Sequence, residues 1–463
     1  MRDLLLAHGY FLLEDPKERV IMKPYAPLGI LYLCSHLRSK GFSVDVFDTT
    51  FSSKAELVRF LETEPPSVLG LYANLMTRSN IVEIVGFART FGWTIVIGGP
   101  EAGAYAQEYL EAGARFVVFG EGENTLEELL TALKGRATEY SSVRGLAYLD
   151  DVGHLHRNAP REQISDLNLQ PWPARDAIAL HRYVETWREH HGMGSINFIT
   201  ARGCPFSCKW CSHGVYGQTH RRRDPIKVVD EVEWLLQTYS PDMFWISDDV
   251  FTINHPWIRT YHGEMRRRSI RVPFECISRA DRLTPEMMDL LAELGCFRMW
   301  IGAESGSQRI LDAMGRGVKI EQVHRAVEMC RERGIQSGMF LMWGYEGEEL
   351  EDIEATIRHV SLSRPDVFLT TVSYPIKGTP YYGSITDKIV QIAPWGKTSD
   401  RELRIAGRHS RNFYSHADRL LREEAGLSRL MDKPMADSDL GNARQRIQEA
   451  RSAMLESFQE VEQ

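Results

Sequence analysis

Three cysteines, Cys204, Cys208 and Cys211, stand in a C-x3-C-x2-C spacing inside the stretch Thr200-Ala-Arg-Gly-Cys-Pro-Phe-Ser-Cys-Lys-Trp-Cys. Thiolates are soft ligands that suit zinc or an iron–sulfur cluster. Three of them this close can hold three corners of a cubane and leave one iron without a protein ligand. An open iron can chelate a small molecule through its amino and carboxylate groups, which would set a sulfonium beside the cluster for one-electron cleavage. The competing chemistry is a structural zinc site with His213 or His220 as fourth ligand. Zinc sites favour paired C-x2–4-C and H-x3–5-H spacings; only one C-x2-C pair occurs here, and no second pair lies downstream. The other four cysteines, Cys34, Cys276, Cys296 and Cys330, are isolated in apolar segments and read as inert buried thiols. Seven cysteines in all, an odd number with irregular spacing, argue against a disulfide framework and for a reducing compartment.

The elements that must position this loop form a strand–helix series. Strands are expected at Ile196–Thr200, Met243–Ser247, Phe274–Ile277, Phe297–Ile301, Ser337–Leu341 and Val367–Ser373, with helices between them. Six such units suit an open or partial (β/α) barrel, whose chemistry belongs at the carboxyl ends of its strands. Acidic and basic residues occur there: Asp248, Asp249, Arg279 and Glu304. Each could equally be a surface ion pair.

A first series precedes it. Short Val/Ile/Leu-rich runs at Asp3–Ala7, Ser43–Phe47, Ser67–Tyr72, Thr94–Ile97 and Arg115–Phe119 alternate with amphipathic segments, including Ala102–Glu111. The pattern predicts a doubly wound parallel sheet buried on both faces, which binds ligands beyond its strand carboxyl ends. Gly98-Gly99-Pro100-Glu101 and Gly120-Glu121-Gly122-Glu123 fall at such ends, and Leu71-Tyr72-Ala73-Asn74 leads to Thr77. They are tight turns, or places where backbone approaches a large flat ligand. Neither glycine cluster forms G-x-G-x-x-G, which disfavours a dinucleotide.

The expected organisation is residues 1–140 as the front domain, 141–189 as a proline-punctuated linker with a strand candidate at Arg144–Leu149, 190–385 as the barrel and 386–463 as a small, mostly helical C-terminal region. The chain has 463 residues, 43% apolar and 25% charged, an ordinary soluble composition. A net charge of −8 argues against nucleic acid or an anionic membrane as partner. The basic runs Arg221–Arg223 and Arg266–Arg268 read as solvated faces. No stretch of about 18 apolar residues occurs, and Met1–Asp15 lacks a basic n-region and cleavage site, so the expectation is a cytoplasmic protein without a membrane span.

At this point the sequence resembles a family. Cys204, Cys208, Trp210 and Cys211 match the C-x3-C-x-Φ-C signature of radical S-adenosylmethionine (SAM) enzymes. In order downstream, Trp245–Phe251 with Asp248 and Asp249, Ser278-Arg279-Ala-Asp281, Gly302-Ala-Glu304-Ser305-Gly306, Gly344–Asp352 and Tyr374–Pro380 resemble further strand-end segments of that family. Upstream, Ala26-Pro27-Leu28-Gly29 and Gly41–Asp48, then the two glycine clusters, resemble B12-binding domains fused to radical SAM domains; Glu101 replaces the commoner histidine. The D-x-H-x-x-G motif of mutase-type B12 domains is absent, and so are the extra N-terminal cysteines of the methylthiotransferases.

The resemblance implies a [4Fe–4S] cluster on Cys204, Cys208 and Cys211. It implies SAM contacts at Trp210, Asp248, Asp249, Arg279, Glu304 and Ser305. For cobalamin, base-off and without a histidine on cobalt, it implies Leu28, Gly29, Thr77, Gly98, Gly99, Pro100, Glu101, Gly120, Glu121 and Gly122. The implied reaction is C-methylation of an unactivated carbon of a small molecule, lipid or peptide, after hydrogen abstraction by a 5′-deoxyadenosyl radical. A flavodoxin or ferredoxin would supply electrons. Radical cyclisation or rearrangement with the same cofactors is the alternative, and a non-catalytic corrinoid or iron–sulfur binding protein is an alternative of another class.

Overall fold

Short apolar strands separated by helices build two mainly parallel sheets. The computed structural model describes residues 2–430 and 437–463; Met1 and residues 431–436, the latter within the expected C-terminal helical region, lie outside the described residues. By internal packing the chain divides into two units. One comprises Met1–Pro205, Ser212–Trp245 and Ala393–Asp400; the other Phe206–Cys211, Ile246–Ile392 and Arg401–Gln463.

The first sheet contains β1 (Leu4–His8), β2 (Val44–Phe47), β3 (Val68–Tyr72), β4 (Thr94–Gly98), β5 (Phe116–Val118), β6 (Leu146–Leu149) and β7 (Leu155–Arg157) in the order β2-β1-β3-β4-β5-β6-β7. The first five are parallel, with connections that return over both faces. Every residue of β1 is buried, as continuous apolar runs in a doubly covered sheet require. One face packs Leu5, Ala7, Leu69, Leu71, Ile95 and Ile97; the other packs Leu4, Leu6, Val44, Val96 and Phe116. Adjacent residues on opposite faces, Leu4 and Leu5 in β1 and Ile95 and Val96 in β4, are what a period of two residues demands.

Three features differ from expectation. The helix expected from Ala102 begins at Ala106. Residues 101–105 turn instead, with the Glu101 carbonyl accepting from both Ala104 and Tyr105. Residues 141–189 are more than a connector. They add the antiparallel hairpin β6–β7 to the sheet edge and a helix, Leu180–His191, that buries Leu180, Tyr183, Val184 and Trp187 and stops at Gly192 in the left-handed conformation. Polar residues between those apolar positions concealed its 3.6-residue period. The run Arg221–Arg223 is not a solvated face: Arg223 is buried and paired with Glu231, and Arg221 is paired with Glu121. Charge on a short run says nothing about whether carboxylates wait nearby. Arg266 and Arg267 are exposed, as expected.

The second series begins with β8 (Ser195–Phe198), passes through the short antiparallel ribbon β9 (Ala201–Arg202) and β10 (Arg221–Arg222), and continues with β11 (Met243–Ile246), β12 (Phe274–Ser278), β13 (Cys296–Glu304), β14 (Gln336–Trp343) and β15 (Val367–Val372). The sheet order is β15-β14-β13-β12-β11-β8, in chain sequence. Pairing along β12–β15 is parallel. Helices start where the sequence supplies caps: Asp224 with Pro225, and Thr284 with Pro285. β13 runs to Glu304, past its expected end, and its register against β14 shifts between Gly302 and Glu304. Helices Arg411–Leu430 and Asp437–Glu456 close the second unit.

Candidate functional site

The cysteine loop is held at a distance from its thiols. Within the second unit, Lys209 donates its backbone N–H to the Met314 carbonyl, and Tyr381 donates to the Lys209 carbonyl, both at 2.9 Å. Cys208 is buried, while Cys204 and Cys211 are partly exposed. Two guanidinium groups face the Cys208 thiol: Arg316 Nη1 at 3.6 Å and Arg279 Nη1 at 3.9 Å. Both arginines are buried. Arg279 also donates to Asp281 at 2.9 Å and to the Arg316 carbonyl at 2.8 Å. Its guanidinium lies 3.6 Å from the centroid of the Phe206 ring. Arg316 donates to the Gly302 carbonyl at 2.9 Å and lies 3.6 Å from Glu304 Oε1.

Glu304 is the acidic member of this group. It is buried, and burial raises its carboxyl above the ordinary range although Arg316 and Arg279 pull it back. Its backbone sits at φ 60°, a left-handed conformation uncommon for a side-chain-bearing residue. It coincides with the register shift at the end of β13. Such strain persists where the surroundings over-determine it, typically at a ligand site.

The other expected SAM residues divide. Asp248, after β11, is buried, whereas Asp249 is exposed, so only Asp248 faces the interior. The Ser305 hydroxyl is 3.2 Å from Thr356 Oγ1 and accepts the Ser307 N–H at 3.1 Å. Trp210 packs on a cluster of Ile310, Met314, Met342, Tyr345, Tyr381, Ile385 and Ile405, and its buried indole N–H has no hydrogen-bond partner among the described residues. Arg316 is the residue that sequence reading missed. It follows a helix rather than a strand, and no charge pattern around Met314-Gly-Arg-Gly marks it.

These groups fit a cluster bound through thiolates and a ligand with a carboxylate and an ammonium. The two buried cations beside Cys208 can fork onto a carboxylate. Asp248 and Glu304 are buried carboxyl groups of the kind that an ammonium needs. Among the described residues no ready cage of three His, Cys, Asp or Glu exists, and none of the seven cysteines is in a disulfide, so the fit is one of donor chemistry. Cys34 and Cys330 are buried and pushed up to about 11 and about 12 by that burial, and Cys276 well above the usual thiol range, as inert thiols should be.

Of the residues expected at cobalamin, Thr77 and those from Gly98 to Gly122 lie at or follow the carboxyl ends of β3, β4 and β5, and Leu28 and Gly29 open the helix Leu28–Ser39. Gly99 has φ 114°, and a Cβ there would come within 2.3 Å of the Ala73 carbonyl oxygen, so only glycine fits. A Cβ on Gly120 would meet nothing within 4 Å, leaving its backbone open to a ligand; one on Gly29 would meet only the Tyr72 ring. Leu28 is buried at the head of its helix. Pro100 is partly buried in the turn after β4. Gly122 caps the helix Glu123–Lys134. The Thr77 hydroxyl accepts the Asn74 N–H at 3.2 Å. The open strand-end glycines fit a large planar ligand.

The two acidic side chains of this group point elsewhere. Glu101 Oε1 accepts from Arg78 Nε at 2.7 Å and from Tyr109 at 2.6 Å. Glu121 accepts from Arg202 and Arg221, each at 2.7 Å.

Two family models match the chain: the B12 binding domain over residues 20–130 and the radical SAM superfamily over residues 198–360. An uncharacterized methyltransferase of Pyrococcus horikoshii is 27% identical over 397 residues, 83% of this chain and 84% of its own. The anaerobic magnesium-protoporphyrin IX monomethyl ester cyclase of Rubrivivax gelatinosus is 26% identical over 79% of this chain and 67% of its own. Among solved structures, the radical SAM methyltransferase TsrM from Kitasatospora setae, with tryptophan substrate and a SAM analogue bound, shares the fold with a TM-score of 0.69 at 21% identity, over 84% of this chain and 76% of that one. The chain therefore combines a B12 binding domain with a radical SAM domain, and the cofactors of these two domains are cobalamin, a [4Fe–4S] cluster and SAM.

Proposed function

We propose that the protein is a methyltransferase that acts on an unactivated carbon of a small molecule, lipid or peptide. The observation that carries this reading is the group at Cys208, where Arg279, Arg316 and Glu304 converge beside one thiol of the loop. When bound, the cluster supplies the electron that cleaves SAM and cobalamin supplies the methyl group. Cys204, Cys208 and Cys211 hold the cluster; Arg279 and Arg316 bind the SAM carboxylate; Asp248 and Glu304 bind its ammonium or ribose hydroxyls. Trp210 walls the site on the apolar side. Burial of these charges excludes water, and a dry site strengthens each contact. The strand-end turns at Gly98–Pro100 and Gly120–Gly122, with Leu28, Gly29 and Thr77, line the cobalamin site. Residues 1–140 and 190–385 are the two functional domains of this reading, joined by 141–189 and followed by a C-terminal region at 386–463. A flavodoxin- or ferredoxin-like donor in a reducing cytoplasm supplies the electrons. Among the described residues no helix is long and apolar enough to cross a membrane.

The similarity to a cyclase favours one second reading, radical ring formation with the same cofactors. Anaerobic reconstitution with iron, sulfide, hydroxocobalamin and methyl-labelled SAM separates the two. Methyl transfer puts label in the product alongside deoxyadenosine. Deoxyadenosine with an unlabelled, dehydrogenated product would select cyclisation, and neither product would remove both.

A further inference from the structure

The ribbon β9–β10 pairs Arg202 with Arg221 and closes the loop 203–220 that carries the three cysteines. Both arginines end on carboxylates that follow β5 in the front sheet. Arg202 Nη1 is 2.7 Å from Glu121 Oε1, and Arg202 Nη2 is 2.7 Å from Glu123 Oε1. Arg221 Nη1 is 2.7 Å from Glu121 Oε2. Glu121 Oε2 also accepts the Ile164 N–H at 2.7 Å, and Arg221 donates to the Ile164 carbonyl at 2.6 Å. Arg202, Glu121 and Glu123 are each 3–5% exposed at their side chains. The Arg202 guanidinium lies 5.2 Å from the Tyr32 ring centroid and 5.5 Å from that of Tyr216.

Two positive and two negative groups therefore balance in a dry cluster. A buried fork of this kind cannot slide without leaving a charge unpaired, which makes it a registration device rather than a source of net stability. Its other end is equally stiff. Gly203 follows Arg202 directly, at φ 84°, and a Cβ there would lie 2.4 Å from the Thr219 carbonyl oxygen. Cys204 is the next residue.

We propose that Arg202 is a positioning residue for the iron–sulfur loop, held in register by Glu121 and Glu123. The acidic residues after β5 thus serve the cysteine loop through Arg202 and Arg221. The proposal rests on the reading of that loop as the cluster's, which the unaltered protein tests first: if it takes up no cluster, that reading fails and not this one.

The test uses the full chain, reconstituted anaerobically, with Arg202→Lys, Glu123→Gln and Glu123→Asp. Hydroxocobalamin binding reports the integrity of the front sheet. Iron release to a chelator, the electron paramagnetic resonance signal of the reduced cluster and its midpoint potential report the loop. Arg202→Lys and Glu123→Gln are expected to bind hydroxocobalamin as the unaltered protein does, to release iron roughly 10-fold faster and to show a changed signal and potential. Glu123→Asp, which keeps the charge, recovers part of the loss. Iron retention, signal and potential all unchanged in the first two variants would overturn the proposal. So would loss of hydroxocobalamin binding in all three, which would assign the carboxylates to folding of the sheet.

Discussion

Arg316 Nη1 lies 3.6 Å from the Cys208 sulfur, although 108 positions separate the two residues in sequence. Through its Nε the same guanidinium faces Glu304. One side chain therefore links the cysteine loop to the strained end of β13.

Replacing Arg316 should be felt at SAM before anything else. Arg316→Lys keeps the charge but loses the planar fork, and roughly a 10-fold rise in KM for SAM is expected. Arg316→Ala should in addition cost about 3 kcal/mol of stability, because Glu304 loses a partner in a buried site. Deoxyadenosine assays at varied SAM and chemical denaturation measure the two effects separately.

Cys208→Ala should abolish deoxyadenosine formation and leave protein that cannot retain iron. Metal analysis after reconstitution checks this. Stoichiometric zinc on the unaltered protein would contradict the cluster reading.

Gly203→Ala should cost about 1–3 kcal/mol from the forced left-handed conformation, besides the clash with the Thr219 carbonyl oxygen. The loss should appear as reduced cluster content, while hydroxocobalamin binding stays intact. Parallel optical titrations of the two cofactors read it.

Glu348 gives a pH test. Burial pushes its carboxyl up to about 8, against the N–H it accepts from Gly344. A raised carboxyl binds its proton more tightly in the folded than in the unfolded chain. Stability should therefore fall as pH rises from the ordinary carboxylate range to about 8, and level off above it. Glu348→Gln should flatten that fall. Thermal unfolding followed across this pH range checks the sign; an unchanged slope in the variant would refute the assignment.

Much of the architecture was legible because it depends on neighbours along the chain. Apolar runs located β1–β5 and β11–β15 to within a few residues, since a strand covered on both faces must be apolar throughout. Strand β6 was legible in the run Arg144–Leu149, but β7 and helix Leu180–His191 were not. Their residues are mixed in polarity, and packing on the existing sheet decides their form. Positions were also easier than partners. Glu101 and Glu121 stand at strand ends where a ligand would bind, yet their carboxylates are spent on Arg78 and Arg202.

The sequence by itself determined the ligand chemistry: three thiols on one loop, glycines at strand ends, and the order of the two sheets. Spacing along a chain sets which donors share a loop and which residues share a face. Only the tertiary structure decided which charges meet. Arg202 finds Glu121 across 81 positions and Arg316 finds Cys208 across 108. A charge forced out of water takes whichever opposite charge or dipole the packed elements bring within reach, and that choice leaves no local pattern to read.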